Sequence, residues 1–316
     1  MTEAYLQSPS YALGSRTYTV EESAASGRTF SPAQALRDAG FQKHHVSPPG
    51  ETVLDLARRC LVPLAGEIRG TDAILWATCI PVNENLGDPA DLPRTRDVKC
   101  LMDFPASRLQ AELDLPAAIT LGISQQACTG LLGSVRVARG LLAAEPEMNA
   151  ILCVTSDRFP EGAVYEQAYN LISDGAAAWR VSRERRGYRI LAVHQITNGA
   201  LVRASDDETV GTYFSFTHRL IQDAVRKAGW TLAELDWIVP QNMNVKAWQI
   251  LGRLLDVSAD RIVFESLAET AHVVSGDNVV NLKHLEASGR LRPGSKLLLV
   301  MAGYGMHWQA LCLEAV

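Results

Sequence analysis

The chain has 316 residues, 47% of them hydrophobic and 21% charged, with a formal net charge of −5. That balance is globular and long enough for two medium domains or one two-lobed fold. Its acidic sign argues against a broad nucleic-acid surface, and no window approaches the roughly 18 uninterrupted apolar residues of a membrane span.

In chain order, a strand is predicted around Ser15–Val20, and a helix opens at Phe30–Gln34 with Ser31 as N-cap and Pro32 in its first turn. A Pro-Pro-Gly turn at 48–50 precedes a helix from Glu51 to about Leu64. Ile74–Ile80 reads as a buried strand. Residues 81–100 form a long loop, and Pro105–Leu113 a helix. A strand over Ala117–Ile123 leads into Ser124–Gly133, and Leu131, Leu132, Val135, Val137, Ala138, Leu141 and Leu142 mark a long helix beyond it. Asn149–Thr155 is the next strand. Tyr169–Val181 holds an Asp174-Gly175 turn and a small-residue strand, with Asp174 tying the turn together. Arg183–Gly187 is a charged break. After it come a strand (Tyr188–His194), a helix (Phe214–Ala228), a strand (Trp237–Pro240), a helix (Val245–Leu255), a strand (Arg261–Phe264), a helix (Val279–Ser288) and two strands (Lys296–Ala302 and Trp308–Leu313). The alternation implies a layered α/β fold.

Met1–Gln7 carries no basic segment ahead of an apolar core, so no signal peptide is expected. The six cysteines show no Cys-x-x-Cys pair and no histidine pair has metal spacing. They read as reduced thiols in a cytoplasmic protein with no metal and no bound cofactor. His44 and His45 are expected in a solvated loop, and His307 in packing or at the surface.

One cysteine sits where a strand turns into a helix. The unpaired N–H groups and dipole of that helix start favour a thiolate at Cys128. Free cysteine is also among the most buried residue types, so position alone leaves packing and nucleophile both open.

Several stretches together resemble the ketoacyl-ACP synthase III group of the thiolase superfamily. Ile123–Gly133 is similar to its nucleophile segment, and Ile172–Ala177 to its Gly-Asp-Gly-Ala turn. Leu235–Pro240 resembles the strand before its catalytic histidine. Leu291–Lys296 with Gly303–Trp308 resembles its C-terminal Pro-Gly turn and glycine-rich loop. The likeness spans roughly residues 50–316. It implies a thiolase-like, duplicated five-layer α/β/α/β/α fold, with halves at 1–186 and 187–316, and usually a homodimer. It also implies Cys128 as the acyl-carrying nucleophile.

The departures set the chemistry. Condensing members of this group carry His after the Val-Pro strand and Asn in a later segment, two neutral donors for a developing enolate. Here Gln241 follows Pro240, and His272 stands in the segment that offers Asn. A Cys–His–amide set suits plain acyl transfer: Cys128 takes the acyl group from a thioester and His272 acts as general base on a hydroxyl or amine. Gln241 or Asn242 would orient the imidazole. Asn244 and Asp277 are further candidates for that task, with helix capping favoured for Asp277. By family position the oxyanion hole is built from the N–H groups of Cys128 and Gly305, and Thr78 and Asn244 join the substrate site.

The resemblance implies a donor on a phosphopantetheine arm, from coenzyme A or an acyl carrier protein. Arg37, Lys43, Arg183, Arg185, Arg186, Arg253 and Arg292 are available for its phosphates. Residues 81–100 are expected to line the acyl or acceptor pocket. The leading reading is an acyltransferase to oxygen or nitrogen, of the kind found in secondary metabolism such as antibiotic biosynthesis. A carbon–carbon condensing enzyme, a thioesterase and a non-catalytic partner subunit are the alternatives.

Overall fold

A computed structural model describes residues 3–168 and 170–316; Met1, Thr2 and Tyr169 of the segments read above lie outside them. Its frame is a nine-stranded sheet. The strands are β1 (Tyr5–Leu13), β2 (Ala73–Ala77), β3 (Ile119–Ile123), β4 (Ala150–Asp157), β5 (Gly175–Ser182), β6 (Tyr188–Thr197), β7 (Trp237–Val239), β8 (Lys296–Gly303) and β9 (His307–Ala315). The order is β7-β8-β9-β6-β1-β5-β4-β2-β3. The main helices are α1 (Val53–Leu61), α2 (Pro105–Glu112), α3 (Gly130–Ala144), α4 (Asp206–Lys227), α5 (Val245–Leu255) and α6 (Asp277–Ala287).

The sheet is two copies of one pattern. Reading inward from one edge, β3-β2-β4-β5-β1 starts with parallel pairs and ends antiparallel. From the other edge, Ile262 bridges Ile238 of β7 in parallel, and β7-β8-β9-β6 then repeats the same sequence of directions. The copies meet through a short antiparallel pairing, Tyr5↔Arg189 and Leu6↔Tyr188. No repeat is visible in the residues because the duplication survives in strand order, not in side chains. Arg261–Phe264, read as a strand, contributes only that single bridge.

Helices α3 and α6 lie between the two copies. Helix α3 touches β2, β4 and β5 of the first copy and β9 of the second, while α6 touches β1 and β5 as well as β7 and β8. Leu131, Val135, Ala138, Val279, Leu282 and Leu285 join Leu75, Trp179, Leu297 and Leu311 in one core there. Outside the first copy, α1 and α2 bury Leu56, Cys60 and Leu109 against Trp76 and Val154. Outside the second, α4 and α5 bury Leu220, Trp248 and Leu251 against Trp308 and Leu298. Five layers result, α/β/α/β/α, in agreement with the thiolase-like expectation. The segment Ala127–Ala144 is long and apolar enough to cross a membrane by composition. It is the central helix α3, whose apolar side chains pack in this core.

Local chemistry explains most element ends. Thr52 caps α1 reciprocally with Asp55, and Ser205 caps α4 with Glu208. Helix Ala33–Asp38 starts after Pro32 with no side-chain cap; Ser31 instead donates its hydroxyl to Glu166. His44 is not solvated as expected. It is fully buried in the strand Lys43–Val46, between the Ser23 hydroxyl (2.7 Å from Nε2) and the Ile172 carbonyl (2.7 Å from Nδ1). Burial lowers its pKa to about 4, so it stays neutral. Asp174 is structural, but it joins separate segments instead of a local turn: it accepts from Ser47 N, Phe159 N and the Tyr165 hydroxyl.

Candidate active site

The two copies place their key residues at equivalent points. Cys128 lies in a 3₁₀ turn, Ala127–Thr129, that runs into α3. His272 precedes α6 by the same logic, after the bridge strand and the short helix Leu267–Thr270. In each case the preceding residue is an alanine forced to positive φ, Ala127 at 44° and Ala271 at 51°. Such non-glycine positions cost about 1–3 kcal/mol each and collect at functional sites. Both side chains enter one cavity of about 640 Å³.

His272 is buried, and its Nδ1 is 2.5 Å from Asp277 Oδ2. That leaves Nε2 facing the cavity that Cys128 also lines. Asp277 is wholly buried and held twice more, by Val273 N at 2.6 Å and Asn242 N at 2.7 Å. Burial alone would lower the imidazole pKa, but the Asp277 charge and hydrogen bond, with help from Cys128, raise it to about 10. The Cys128 thiol is held well below its usual range. The thiol of Cys79, with Sγ 3.6 Å away, donates to it, burial opposes, and His272 adds hydrogen bond and charge. Both shifts favour a thiolate–imidazolium pair backed by a carboxylate.

The other expected residues divide. Gln241 is in the site: its Nε2 is 3.5 Å from His272 Nε2, and its Oε1 accepts from Ala302 N at 3.1 Å, which turns the amide NH₂ inward. Asn242 is not. Its side chain donates to Ala271 O, Ser266 Oγ and Thr270 Oγ1 and accepts from Asn281, away from the imidazole. Only its backbone N–H serves the site, through Asp277. The capping role favoured for Asp277 gives way to holding His272, because its carboxylate points back over Val273 instead of at the first helical N–H groups. Asn244 lines the cavity and caps α5 through Lys246 N. Thr78 does not reach the cavity; its hydroxyl donates to Asp157 and to Ile80 O.

Gly305 lies off the cavity lining, and a Cβ there would meet the His307 ring at 3.5 Å, not the nucleophile. The glycine against the nucleophile is Gly303 at the end of β8: a Cβ there would stand 2.9 Å from Cys128 N and 2.9 Å from Gln126 O. His307 itself pairs with Thr197 Oγ1 at 3.0 Å.

The cavity walls also differ from expectation. Residues 81–100 contribute nothing to the lining. The walls come from Phe159, Pro160 and Val164, from Tyr213 and Phe214 of α4, and from Met243, Ala247 and Ile250 near α5. None of the expected phosphate-binding cations lines it: Arg37, Lys43 and Arg186 pair with Glu21, Glu269 and Glu67. Lys246, which sequence reasoning passed over, does. Cys79 was also passed over. It stands two residues beyond β2, and β2 is the parallel neighbour of β3; chains leaving adjacent parallel strands at one end are natural partners. Among the described residues no group of His, Cys, Asp and Glu has a metal-holding arrangement.

The chain is similar to known proteins. Residues 124–199 match the family model described as 3-oxoacyl-[acyl-carrier-protein] synthase III, and residues 225–315 match its C-terminal counterpart, together more than half of the chain. A β-ketoacyl-[acyl-carrier-protein] synthase III of Nitratidesulfovibrio vulgaris (strain DP4) is 24% identical over 87% of this chain and 88% of its own. The solved β-ketoacyl-[acyl-carrier-protein] synthase III of Thermus thermophilus superposes with a TM-score of 0.82 at 19% identity, covering 99% of each chain. A structure named ChlB3, an acyltransferase, superposes with a TM-score of 0.80 at 17% identity, covering 99% of this chain and 98% of its own.

Proposed function

The chain belongs to the 3-oxoacyl-[acyl-carrier-protein] synthase III family, a class of acyl-transferring and condensing enzymes, and from that premise we propose that it transfers an acyl group from a coenzyme A or carrier-protein thioester to a hydroxyl or amine. The observation that carries this reading is the imidazole of His272 held at 2.5 Å by the buried carboxylate of Asp277. A histidine so held gives and takes protons, whereas a condensing site needs paired neutral donors over an enolate.

The Cys128 thiolate attacks the thioester carbonyl. The oxyanion forms beside the Cys128 N–H, where Gly303 leaves room. As the intermediate collapses, the carbon–sulfur bond to the donor breaks and the His272 imidazolium protonates the departing thiolate. Acylation removes the negative sulfur, and the now neutral imidazole takes the proton of the acceptor as that oxygen or nitrogen attacks. Collapse expels the Cys128 thiolate and restores the ion pair. The Gln241 amide donates into the cavity throughout. Lys246, exposed at the wall, meets the donor's phosphates. The apolar walls suit an apolar acyl chain or ring.

We further propose a homodimer formed along β3. This edge strand exposes Ile119 and Leu121, 43% and 40% accessible, and apolar edges of this kind are paired or covered in stable proteins.

Intact-mass spectrometry after incubation with a panel of acyl-CoAs and acyl carrier proteins tests the first step. The expected result is an acyl mass gain on the wild type that is absent in Cys128→Ala. No gain with any donor would count against the reading and favour a non-catalytic partner subunit.

A further inference from the structure

The structure brings one more reactive group to the nucleophile. β2 and β3 run parallel with Ala77 opposite Ile123, and the chain leaves both at the same end, to Cys79 and Cys128. The two sulfurs stand 3.6 Å apart. A disulfide closes at about 2.05 Å, so the gap to cover is about 1.5 Å, within reach of side-chain rotation. Both thiols line the cavity and both are partly exposed, so a small oxidant can reach them. Cys79 is also fixed in place: its N–H donates to both carboxylate oxygens of Asp157 at 3.0 Å, which anchors the turn after β2.

The remaining cysteines offer no such arrangement. Cys60, Cys153 and Cys312 are buried, and burial pushes the Cys153 and Cys312 thiols up to about 12, while the half-buried Cys100 lies in the turn Val98–Leu101, off the cavity lining. Cys128, in contrast, has its thiol held well below the usual range by Cys79 and His272, and low-pKa accessible cysteines beside a second thiol are the ones that react with peroxides.

We propose that Cys79 is a resolving thiol and that the Cys79–Cys128 pair is a modification site, converted by a small hydroperoxide into a reversible disulfide. The Cys128 thiolate attacks one oxygen of hydrogen peroxide. The O–O bond breaks, the leaving hydroxide takes a proton to become water, and Cys128 becomes a sulfenic acid. The Cys79 sulfur then displaces the sulfenic oxygen. The S–S bond forms, the S–O bond breaks, and the Cys79 proton leaves with the hydroxyl as a second water. Two thiols lose two electrons, and one peroxide gains them. The Cys79 thiol is raised chiefly by its hydrogen bond to Cys128, then by burial, and the first influence ends when Cys128 becomes a neutral sulfenic acid. The disulfide occupies the acyl-carrying sulfur, so loading stops until a thiol reductant reopens it. This inference needs only the two sulfurs and goes beyond the acyl-transfer reading.

The test treats the full-length wild type with a small excess of hydrogen peroxide, followed by intact mass and non-reducing peptide mapping. Expected are the loss of two hydrogens, a cross-linked peptide joining Cys79 and Cys128, and loss of Cys128 alkylation by iodoacetamide, all reversed by dithiothreitol. In Cys79→Ser the same treatment is expected to add oxygens to Cys128 up to the sulfinic and sulfonic acids, which dithiothreitol does not remove. An unchanged wild-type mass, oxygens added to Cys128 without a cross-link, or a cross-link to another cysteine would overturn the proposal. The mapping is read on the wild type, so it decides even where the variant folds poorly.

Discussion

At neutral pH His272 holds a proton, and Asp277 is the reason. The carboxylate supplies charge and a 2.5 Å hydrogen bond in a site where burial would otherwise leave the imidazole neutral. Asp277→Asn removes the charge and keeps the shape. It is expected to lower Cys128 acylation about 10²–10⁴-fold, the worth of a placed proton donor or base, read as the rate of mass gain. It is also expected to move the pH midpoint of Cys128 alkylation upward, toward that of an ordinary thiol. A loss of protein without that shift would make Asp277 structural only. Stability follows the same group. His272 is raised from 6.5 to about 10, so its contribution is full below about pH 6.5 and is lost as pH rises through about 10. The melting-temperature gap between wild type and Asp277→Asn is therefore expected to shrink over that window. Sequence reading reached Cys128 and His272 through motif order, but it divided Asp277 between two roles. An acidic residue at a helix start serves as a cap in most chains; here the Val273 turn brings it back over the imidazole, which residue spacing does not show.

Elements position these groups by pairing two central helices. Cys128 and His272 open α3 and α6, and each follows an alanine at positive φ. The strand β8 closes the arrangement from the side with Gly303. Gly303→Ala sets a methyl 2.9 Å from Cys128 N, closer than such contacts occur, so the turn or the strand end must move. Acyl loading is expected to fall about 10²–10³-fold, comparable to a lost oxyanion donor, with far-ultraviolet circular dichroism unchanged; wild-type loading in that variant would remove Gly303 from the site. Most helices and strands were legible from periodicity and from caps such as Thr52 and Ser205. The misreadings share a cause. Thr78, His44 and Asn242 are polar residues whose partners, the Thr78–Ile80 contact apart, lie 21 to 128 positions away, and such partners leave no local pattern. The Cys79–Cys128 contact spans 49 positions and is silent in the same way.

At the scale of the molecule, the duplicated sheet brings both halves to a single apolar cavity. Residues of 159–168 with Asn170, α4 and α5 wall it, while 81–100 stays outside. The expectation for 81–100 rested on its place just before the nucleophile in sequence, and chain order does not fix which segment folds over a cavity. The exposed edge β3 gives the assembly its own test. Leu121→Lys is expected to shift the protein from dimer to monomer in sedimentation velocity, and a dimer unchanged by the lysine would contradict pairing along β3. The central claim is that the acyl group on Cys128 passes to oxygen or nitrogen and not to carbon. Its most direct test gives pre-acylated enzyme malonyl-CoA or malonyl carrier protein labelled in the free carboxyl and counts released carbon dioxide. No release above the Cys128→Ala background is expected. Release in step with loss of the acyl-enzyme would contradict the account and assign the protein to carbon–carbon condensation.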